Sequence, residues 1–330
     1  MNNLRITIAT GNYDRVQAIA DGRVPVEGCD VAFLGMDPEE CFYRAFTNKE
    51  FDVTELSMSS YMIACSRGIQ DYVAIPIFLS RMFRHSAIYI RTDAGIERPE
   101  DLKGRQVGVP VYAMTASLWV RGMLSEQYGV KPSDIHWLTG GLEEPGRYGK
   151  FPLNLPDDIK VEAIPTDRTL SDMLEKGEIT ALISAREPSC MRKPGSKIGR
   201  LFKDLKTAER DYFEQTRLFP IMHVLGLRRS LAEQHPWLPS SLYKAFLQAK
   251  DVALEEMQEV AALRYSLPWL PSEVADAIAR MGHDFWPYGF KKNLPELEAM
   301  TRWSHEQGLA VRRMDPKELF WPSTLEQARI

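Results

Sequence analysis

The sequence alternates short apolar runs with segments of helical character, and polar residues follow most of the apolar runs. Residues 4–8 alternate apolar and polar side chains, the period-two pattern of a strand, and the turn-forming residues 10–14 come next. A second apolar run at 31–34 leads to Asp37 and Pro38, a pair typical of a helix start. Repeated strand–helix units predict an α/β fold whose ligands bind at the carboxyl ends of strands.

Polar junctions of this kind recur in both halves of the chain. Because ligands of open α/β sheets bind beyond the carboxyl ends of strands, we expect one crevice between two lobes to collect these junctions. The candidate ligand contacts within them are Asn12, Ser57, Ser59, Thr115 and Arg186. From residue 240 onward the pattern is mostly helical, with one apolar face over residues 242–260.

Length and composition describe a folded protein with two domains. The chain has 330 residues, of which 44% are hydrophobic and 26% are charged, and its formal charge is −4. The sequence contains no concentrated basic segment, so nucleic-acid binding is not expected. No apolar stretch is long enough for a membrane span, and the first residues lead into a strand rather than a secretion signal.

The four cysteines are spaced without a C-x-x-C pair, in apolar or mixed surroundings: Cys29, Cys41, Cys65 and Cys190. Cysteines in such surroundings are usually buried, reduced thiols. We therefore expect a cytoplasmic location.

Several segments resemble a known family. Residues 101–110, which read DLKGRQVGVP, are similar to the segment that opens the second lobe of type II periplasmic-binding-protein folds. Four shorter segments resemble the 4,5-dihydroxyphthalate decarboxylases, a cytoplasmic enzyme branch of that fold, and they are residues 83–86, 143–147, 219–223 and 284–289. The resemblance extends over nearly the whole chain.

The resemblance implies two lobes that are joined by two crossing strands. The first lobe would comprise residues 1–88 and 224–330, and the second residues 89–223. Residues 86–91 would form the outgoing hinge strand and residues 223–228 the return strand. The family also suggests a homo-oligomer.

The implied reaction converts 4,5-dihydroxyphthalate to protocatechuate and carbon dioxide without an organic cofactor. Direct loss of carbon dioxide would leave an aryl anion, which is far too basic. The easier route protonates the ring carbon that bears the carboxylate, while the para hydroxyl gives up its proton. Such a site needs a cation for the other carboxylate, a general acid over the ring carbon, an acceptor at the para hydroxyl and a poorly hydrated pocket.

Two histidines are candidate proton donors. His85 follows Arg84 just before the outgoing hinge strand, so Arg84 would hold a carboxylate beside the donor. The alternative for His85 is a hydrogen-bonded histidine between the domains. His223 lies between apolar residues at the return strand, where a hydrogen-bonded core histidine is the alternative. With both in the cleft, the two rings would face each other across the substrate.

Arginines near the cleft are candidate carboxylate ligands. Arg186 follows the strand at 181–184, and a guanidinium suits a bidentate grip on a carboxylate. The alternative is a rim ion pair between Arg186 and Glu187, and Glu187 is also a candidate catalytic carboxylate. Arg147 lies in a long loop, where it would act either as a second anion contact or as a solvated side chain.

Hydroxyl groups offer further contacts. Thr115 lies where a helix should begin, and free backbone N–H groups at a helix start bind carboxylates. Simple N-capping is the alternative for Thr115. Ser57 and Ser59 would contribute from the other lobe, with Glu55 nearby as a possible acceptor.

Residues 283–289 combine ionisable and aromatic side chains. Asp284 or His283 would accept a hydrogen bond from a catechol hydroxyl, while Trp286 and Tyr288 would enclose the ring. The alternative is an aromatic plug that ends a helix. The histidines of the chain lack metal-ligand spacing, so no metal is expected.

The rival hypothesis is a binding protein that delivers a small anionic or aromatic ligand to an ABC-type transporter. The fold alone favours this rival, because a fold does not determine chemistry. The two histidines at cleft positions and the absence of a secretion signal favour an enzyme acting on a small aromatic dicarboxylate.

Overall fold

The computed structural model of the protein describes residues 3–146 and 151–326. Within these ranges the strands form two sheets and helices pack on both, as the predicted α/β class requires. The first sheet contains β1 (Leu4–Thr10), β2 (Cys29–Gly35), β3 (Val53–Ser57), β4 (Tyr72–Arg81) and β11 (Ile221–Arg228). The second contains β5 (Ile88–Arg91), β6 (Gln106–Val109), β7 (His136–Thr139), β8 (Val161–Ala163), β9 (Ala181–Ile183) and β10 (Ile198–Arg200).

Both sheets combine parallel and antiparallel pairing. The first has the order β2-β1-β3-β11-β4, in which β1 is parallel to its neighbours and β11 is antiparallel to β3 and β4. The second has the order β10-β5-β9-β6-β7-β8, with parallel pairing from β9 to β8 and antiparallel pairing at β5. The segments after β3, β6 and β9 therefore start at carboxyl ends of strands, where α/β proteins bind ligands.

The helices surround the sheets. They are α1 (Asp14–Ala20), α2 (Pro38–Asn48), α3 (Met58–Ser66), α4 (Thr115–Tyr128), α5 (Leu170–Lys176), α6 (Leu205–Thr216), α7 (Arg229–Gln234), α8 (Leu238–Gln258), α9 (Leu270–Met281) and α10 (Leu294–Glu306). In the described ranges, none of them has the length and apolar character needed to cross a membrane. The four cysteines are buried and unpaired, as predicted.

Local sequence signals placed some helix ends correctly. Asp37 is the N-cap of α2, and its carboxylate accepts a hydrogen bond from the backbone N–H of Glu39 at 2.8 Å. The apolar face predicted for residues 242–260 is shorter in the structure. It is buried as far as Ala253, whereas Val260 lies beyond the end of α8 and is exposed.

The chain passes twice between the two sheets. The first passage leads from the end of β4 at Arg81 to the start of β5 at Ile88, and the second runs from β10 through α6 to β11. Helix α4 fixes the start of β11, because Trp119 Nε1 donates a hydrogen bond to the carbonyl of Ile221 at 2.8 Å. Burial of this indole stabilises the contact by roughly 3 kcal/mol.

Strand β4 is bulged opposite β11. His223 is paired with Ser80, but Leu225, two residues later, is paired with Ile75. The intervening residues of β4 therefore bulge out of the ladder, which bends the strand beside His223.

The bulged carbonyl groups receive hydrogen bonds from outside the sheet. An unpaired buried carbonyl would be costly, so these bonds stabilise the irregular strand. The donors are the Gly289 N–H to Pro76 O at 2.8 Å, Trp286 Nε1 to Phe78 O at 2.9 Å and Arg15 Nε to Leu79 O at 2.6 Å.

Candidate active site

A cavity of about 920 Å³ lies where segments from the two sheets meet. One wall comes from α2, α3 and the start of β11, and the other comes from the chain after β6 and after β9. This volume is at the upper end of the range for small-molecule sites. Five of the predicted site residues line it, and they are Ser57, Arg84, Thr115, Arg186 and His223.

His223 is held by a buried carboxylate. Its Nδ1 lies 2.6 Å from Oε1 of Glu55, whose side chain is 0% exposed. The ring of Phe42 contacts the imidazole edge to face, with 4.7 Å between centroids. Because Nδ1 is engaged by the carboxylate, Nε2 is the ring nitrogen left for a ligand in the cavity. Glu55 thus fixes both the orientation and the tautomer of the imidazole.

Glu55 remains ionised in spite of its burial. Burial alone would raise its pKa, but the neighbouring His223 and the hydrogen bonds around the carboxylate hold the pKa below its usual value. Tyr13 donates from its hydroxyl to Oε1 at 2.7 Å, and the Gly11 N–H donates to Oε2 at 2.7 Å. Burial, with the nearby Glu55 charge, raises the pKa of Tyr13, so Tyr13 stays a neutral donor.

Arg84 lines the cavity without a carboxylate partner among the described residues. Its Nε contacts Sδ of Met222 at 3.1 Å, next to His223 in β11. Burial lowers the pKa of Arg84 to about 10, partly opposed by the charge of Glu209, so the side chain is still cationic at neutral pH. A partly buried guanidinium without an ion pair among the described residues, in the wall of the same cavity as an imidazole, is suited to bind an anionic ligand group.

Arg186 lies at the rim of the cavity and is exposed. Its Nη2 is 3.4 Å from Oδ2 of Asp37 and 4.0 Å from Glu39, so it pairs across the cavity with the start of α2. The alternative ion pair with Glu187 is absent from the described residues. Arg186 is therefore a cation that a ligand carboxylate reaches only in competition with two acids.

Thr115 and Ser57 bring the two sides of the cavity together. Their hydroxyl oxygens are 3.0 Å apart, and Thr115 Oγ1 also accepts from the backbone N–H of Ser59 at 3.1 Å. Thr115 is the first residue of α4 and Met114 is the N-cap, so simple capping by Thr115 is wrong. Ser59 itself is fully buried and its hydroxyl does not line the cavity.

His85 is not in the cavity, which overturns its predicted position facing His223. Its side chain is 1% exposed and packs against the rings of Phe202 and Tyr212, with centroid distances of 4.9 and 5.3 Å. Neither ring nitrogen has a hydrogen-bond partner among the described residues. Burial lowers the pKa of His85 to about 4, so the imidazole is neutral at physiological pH.

The predicted ring-enclosing segment also lies outside the cavity. Asp284 forms ion pairs with Lys250 and Lys292, and His283 is exposed to solvent. Trp286 bonds to the bulged strand β4, and its ring stacks on the guanidinium of Arg15 at 4.2 Å. Tyr288 is buried beneath the same strand. The aromatic-plug alternative describes this segment better than a substrate contact.

Two further candidates are not brought into the cavity, and a third cannot be placed. Glu187 pairs with Arg192 and Arg200, both at 2.8 Å, on the surface of the second sheet. Asn12 is exposed beside Gly35. Arg147 lies outside the described residues.

The sequence did not identify Tyr13 as a site residue, and it indicated Glu55 only as a nearby hydrogen-bond acceptor. Glu55 was detectable as the lone acid in the apolar strand at 53–57. Tyr13 had no local signal, because its role depends on a contact 42 residues away in sequence. Among the described residues, no three His, Cys, Asp or Glu side chains are grouped as a metal ion would require.

Comparison with known proteins agrees with the fold. A family model described as NMT1/THI5 like matches residues 27–144. The periplasmic aliphatic sulphonate binding protein SsuA from Escherichia coli superposes with a TM-score of 0.54 at 15% identity, over 100% of this chain and 96% of that chain. The ligand binding component of an ABC-type import system from Staphylococcus aureus gives 0.53 at 14% identity, over 99% of both chains. At such low identity these likenesses show the two-lobe binding-protein fold alone.

Two curated relatives are much closer in sequence. A 4,5-dihydroxyphthalate decarboxylase from Pseudomonas putida is 47% identical over 213 residues, which are 64% of this chain and 83% of the relative. Another 4,5-dihydroxyphthalate decarboxylase, from Comamonas testosteroni, is 45% identical over 330 residues, which are 100% of both chains. With such similarity from end to end, the chain belongs to the 4,5-dihydroxyphthalate decarboxylases, a family of carboxy-lyases.

Proposed function

We propose that this protein converts 4,5-dihydroxyphthalate to protocatechuate and carbon dioxide by protonating the ring carbon that carries the departing carboxylate. The observation that carries the proposal is the His223–Glu55 pair at the cavity wall. A protonated His223 delivers a proton from Nε2, while the Glu55 carboxylate balances the charge of the ring. General acids of this type accelerate proton transfer by about 10² to 10⁴.

The remaining groups of the cavity match the other needs of the reaction. Arg84 holds a carboxylate, and the hydroxyls of Ser57 and Thr115 accept a hydrogen bond from the phenol. The para phenol gives its proton to solvent as the ring carbon takes one from His223, which leaves a dienone. When carbon dioxide departs, the electrons of its bond restore the aromatic ring as a phenolate, and the phenolate and His223 then each take a proton from solvent. No separate electron sink is required, since the phenol supplies one.

The decisive experiment mixes purified protein with 4,5-dihydroxyphthalate and follows carbon dioxide and protocatechuate. We expect both products in equal amounts, and at least a ~100-fold lower rate with His223→Asn. A His85→Asn variant serves as the matched control, because His85 lies outside the cavity. Equal rates for the His223 variant and the unchanged protein would refute the proton-donor role.

The rival function, delivery of a ligand to a transporter, draws on the likeness to the binding proteins. It predicts that the diacid binds stoichiometrically and is recovered unchanged. Calorimetric binding without any carbon dioxide would therefore favour the rival.

We further propose that residues 1–88 with 224–330 and residues 89–223 move as two lobes, and that the protein is a cytoplasmic homo-oligomer. The arrangement of strands supports these boundaries to within a few residues, since β5 of the second sheet begins at Ile88 and β11 of the first sheet begins at Ile221. Light scattering on the purified protein tests the assembly, and a monomer at micromolar concentration would contradict it.

A further inference from the structure

The cavity is longer than a single-ring diacid needs. On α3, Ser60 and Ala64 line the cavity one turn apart, about 6 Å at the rise of an α-helix, and Ser57 at the end of β3 precedes them. On α2 the stripe through Glu39 and Phe46 spans about 10 Å. The cavity therefore extends along both helices, away from the residues that surround His223.

The two ends of the cavity differ in polarity. The end at the helix starts carries the imidazole, hydroxyl and guanidinium groups described above. The other end, which we name the apolar arm, is lined mainly by hydrocarbon side chains, and they are Phe46, Ala64, Ile69, Tyr72 and Phe151. Two polar residues, Thr47 and Asp71, also line this end, and the carboxylate of Asp71 is paired with Lys49 at 2.8 Å.

The hydroxyls of Tyr61 and Tyr72, near the apolar arm, are already engaged, whereas Tyr43, which also lines the cavity, is exposed. Tyr61 donates to the carbonyl of Leu319 at 2.6 Å, and Tyr72 donates to the carbonyl of Phe51 at 2.8 Å. Both tyrosines thus present ring surface rather than a free hydroxyl to a ligand. Ile69, 43% exposed, lies where the arm reaches solvent, so a group of variable length fits.

We propose that the apolar arm is a second subsite, which takes an apolar substituent on the aromatic acid held at the polar end. The ligand class is phthalate-type diacids that carry an aryl or short alkyl group. This inference rests on the proposed function only for the binding of the diacid at the polar end, and does not require turnover.

The test is calorimetric titration of the purified protein with phthalate and with 4-phenylphthalate. Burial of the added ring should tighten binding at least about tenfold. Ile69→Ala should reduce this advantage about threefold, because it removes part of the wall. Leu267→Ala is the matched control, since Leu267 is 44% exposed and does not line the cavity.

A second variant fills the apolar arm, whereas Ile69→Ala removes part of its wall. Ala64→Phe should abolish the preference for 4-phenylphthalate and leave the affinity for phthalate unchanged. If this variant fails to fold, the comparison of Ile69→Ala with Leu267→Ala still decides.

Equal affinity of the unchanged protein for the two diacids would overturn the proposal, and so would equal losses in the Ile69 and Leu267 variants. A preference for 4-phenylphthalate in a protein that releases no carbon dioxide would support the subsite while contradicting the decarboxylase activity.

Discussion

Glu55 is surrounded by the side chain of His223, the hydroxyl of Tyr13 and the backbone N–H of Gly11, so its buried charge is shared among three donors. A carboxylate with this many partners is rigid as well as ionised. Glu55 contacts the imidazole of His223 and does not line the cavity, so it acts on a ligand only through His223. We therefore call it a positioning residue.

Glu55→Gln tests that role. The amide can still accept from Nδ1 but carries no charge, so we expect the maximal rate to fall by about 100-fold or more while ligand affinity changes little. Steady-state kinetics over pH 5 to 9 and calorimetric binding measure the two effects. A variant with an unchanged maximal rate would remove Glu55 from the mechanism.

Arg84→Gln tests carboxylate binding. Loss of a charge-assisted hydrogen bond costs about 1.5–3 kcal/mol, so KM should rise roughly tenfold to a hundredfold. Arg84 forms no ion pair with an acid among the described residues, but its charge partly offsets the burial that raises the pKa of Glu209, so Tm should fall slightly.

Arg186→Gln is the matched comparison for Arg84, because Arg186 is an exposed rim cation that is already paired with Asp37. Its effect on KM should be several-fold smaller. An Arg84 variant with unchanged KM, or a larger effect at Arg186, would assign the carboxylate contact elsewhere.

At the scale of elements, the sequence predicts features that depend on neighbouring residues but not features that depend on distant contacts. The start of α2 was predictable because its signal, Asp37 followed by Pro38, is complete within two residues. Residues 283–289 were predicted to contact the substrate because their side chains are typical of a binding site. In the structure, the ring N–H of Trp286 and the backbone N–H of Gly289 instead donate to carbonyl groups of the bulge in β4. The local sequence of β4 contains no signal that predicts this bulge.

His85 shows the same limit. The segment 83–86 placed it correctly between two strands of different sheets, but its neighbours Phe202 and Tyr212 are more than a hundred residues away. A histidine enclosed by aromatic rings and a histidine in a cleft have the same local sequence pattern.

His85→Leu should change the pH dependence of stability. The pKa of His85 falls from 6.5 to about 4 on folding, so between these values the unfolded chain binds a proton that the folded protein does not. Stability is therefore lost as pH falls from about 6.5 to 4, by about 3 kcal/mol in total.

The leucine variant lacks this contribution, so its unfolding free energy should fall less steeply over the same pH range. Urea denaturation at several pH values measures the slope. Identical slopes for both proteins would show that His85 does not titrate as described.

For the whole molecule, the sequence was sufficient for the fold class and for part of the site. Ser57, Thr115 and Arg186 line the cavity at or after the carboxyl ends of strands, whereas His223 lines it from near the start of β11. The apolar arm was not predictable, because it forms between two helices whose separation depends on packing of the entire first sheet. Likewise, only the three-dimensional structure distinguishes Arg84, which forms no ion pair in the part of the chain that the structure describes, from Arg186, which is paired with Asp37.

Arg84, which forms no ion pair within the described ranges, has a consequence for work in solution. A guanidinium in the cavity wall attracts small inorganic oxyanions as well as substrate. Phosphate and sulfate buffers should therefore act as competitive inhibitors, and should raise the melting temperature more than chloride at equal ionic strength. In Arg84→Gln both effects should disappear. A comparison of melting temperatures in phosphate and in chloride therefore tests whether Arg84 binds anions when no substrate is present.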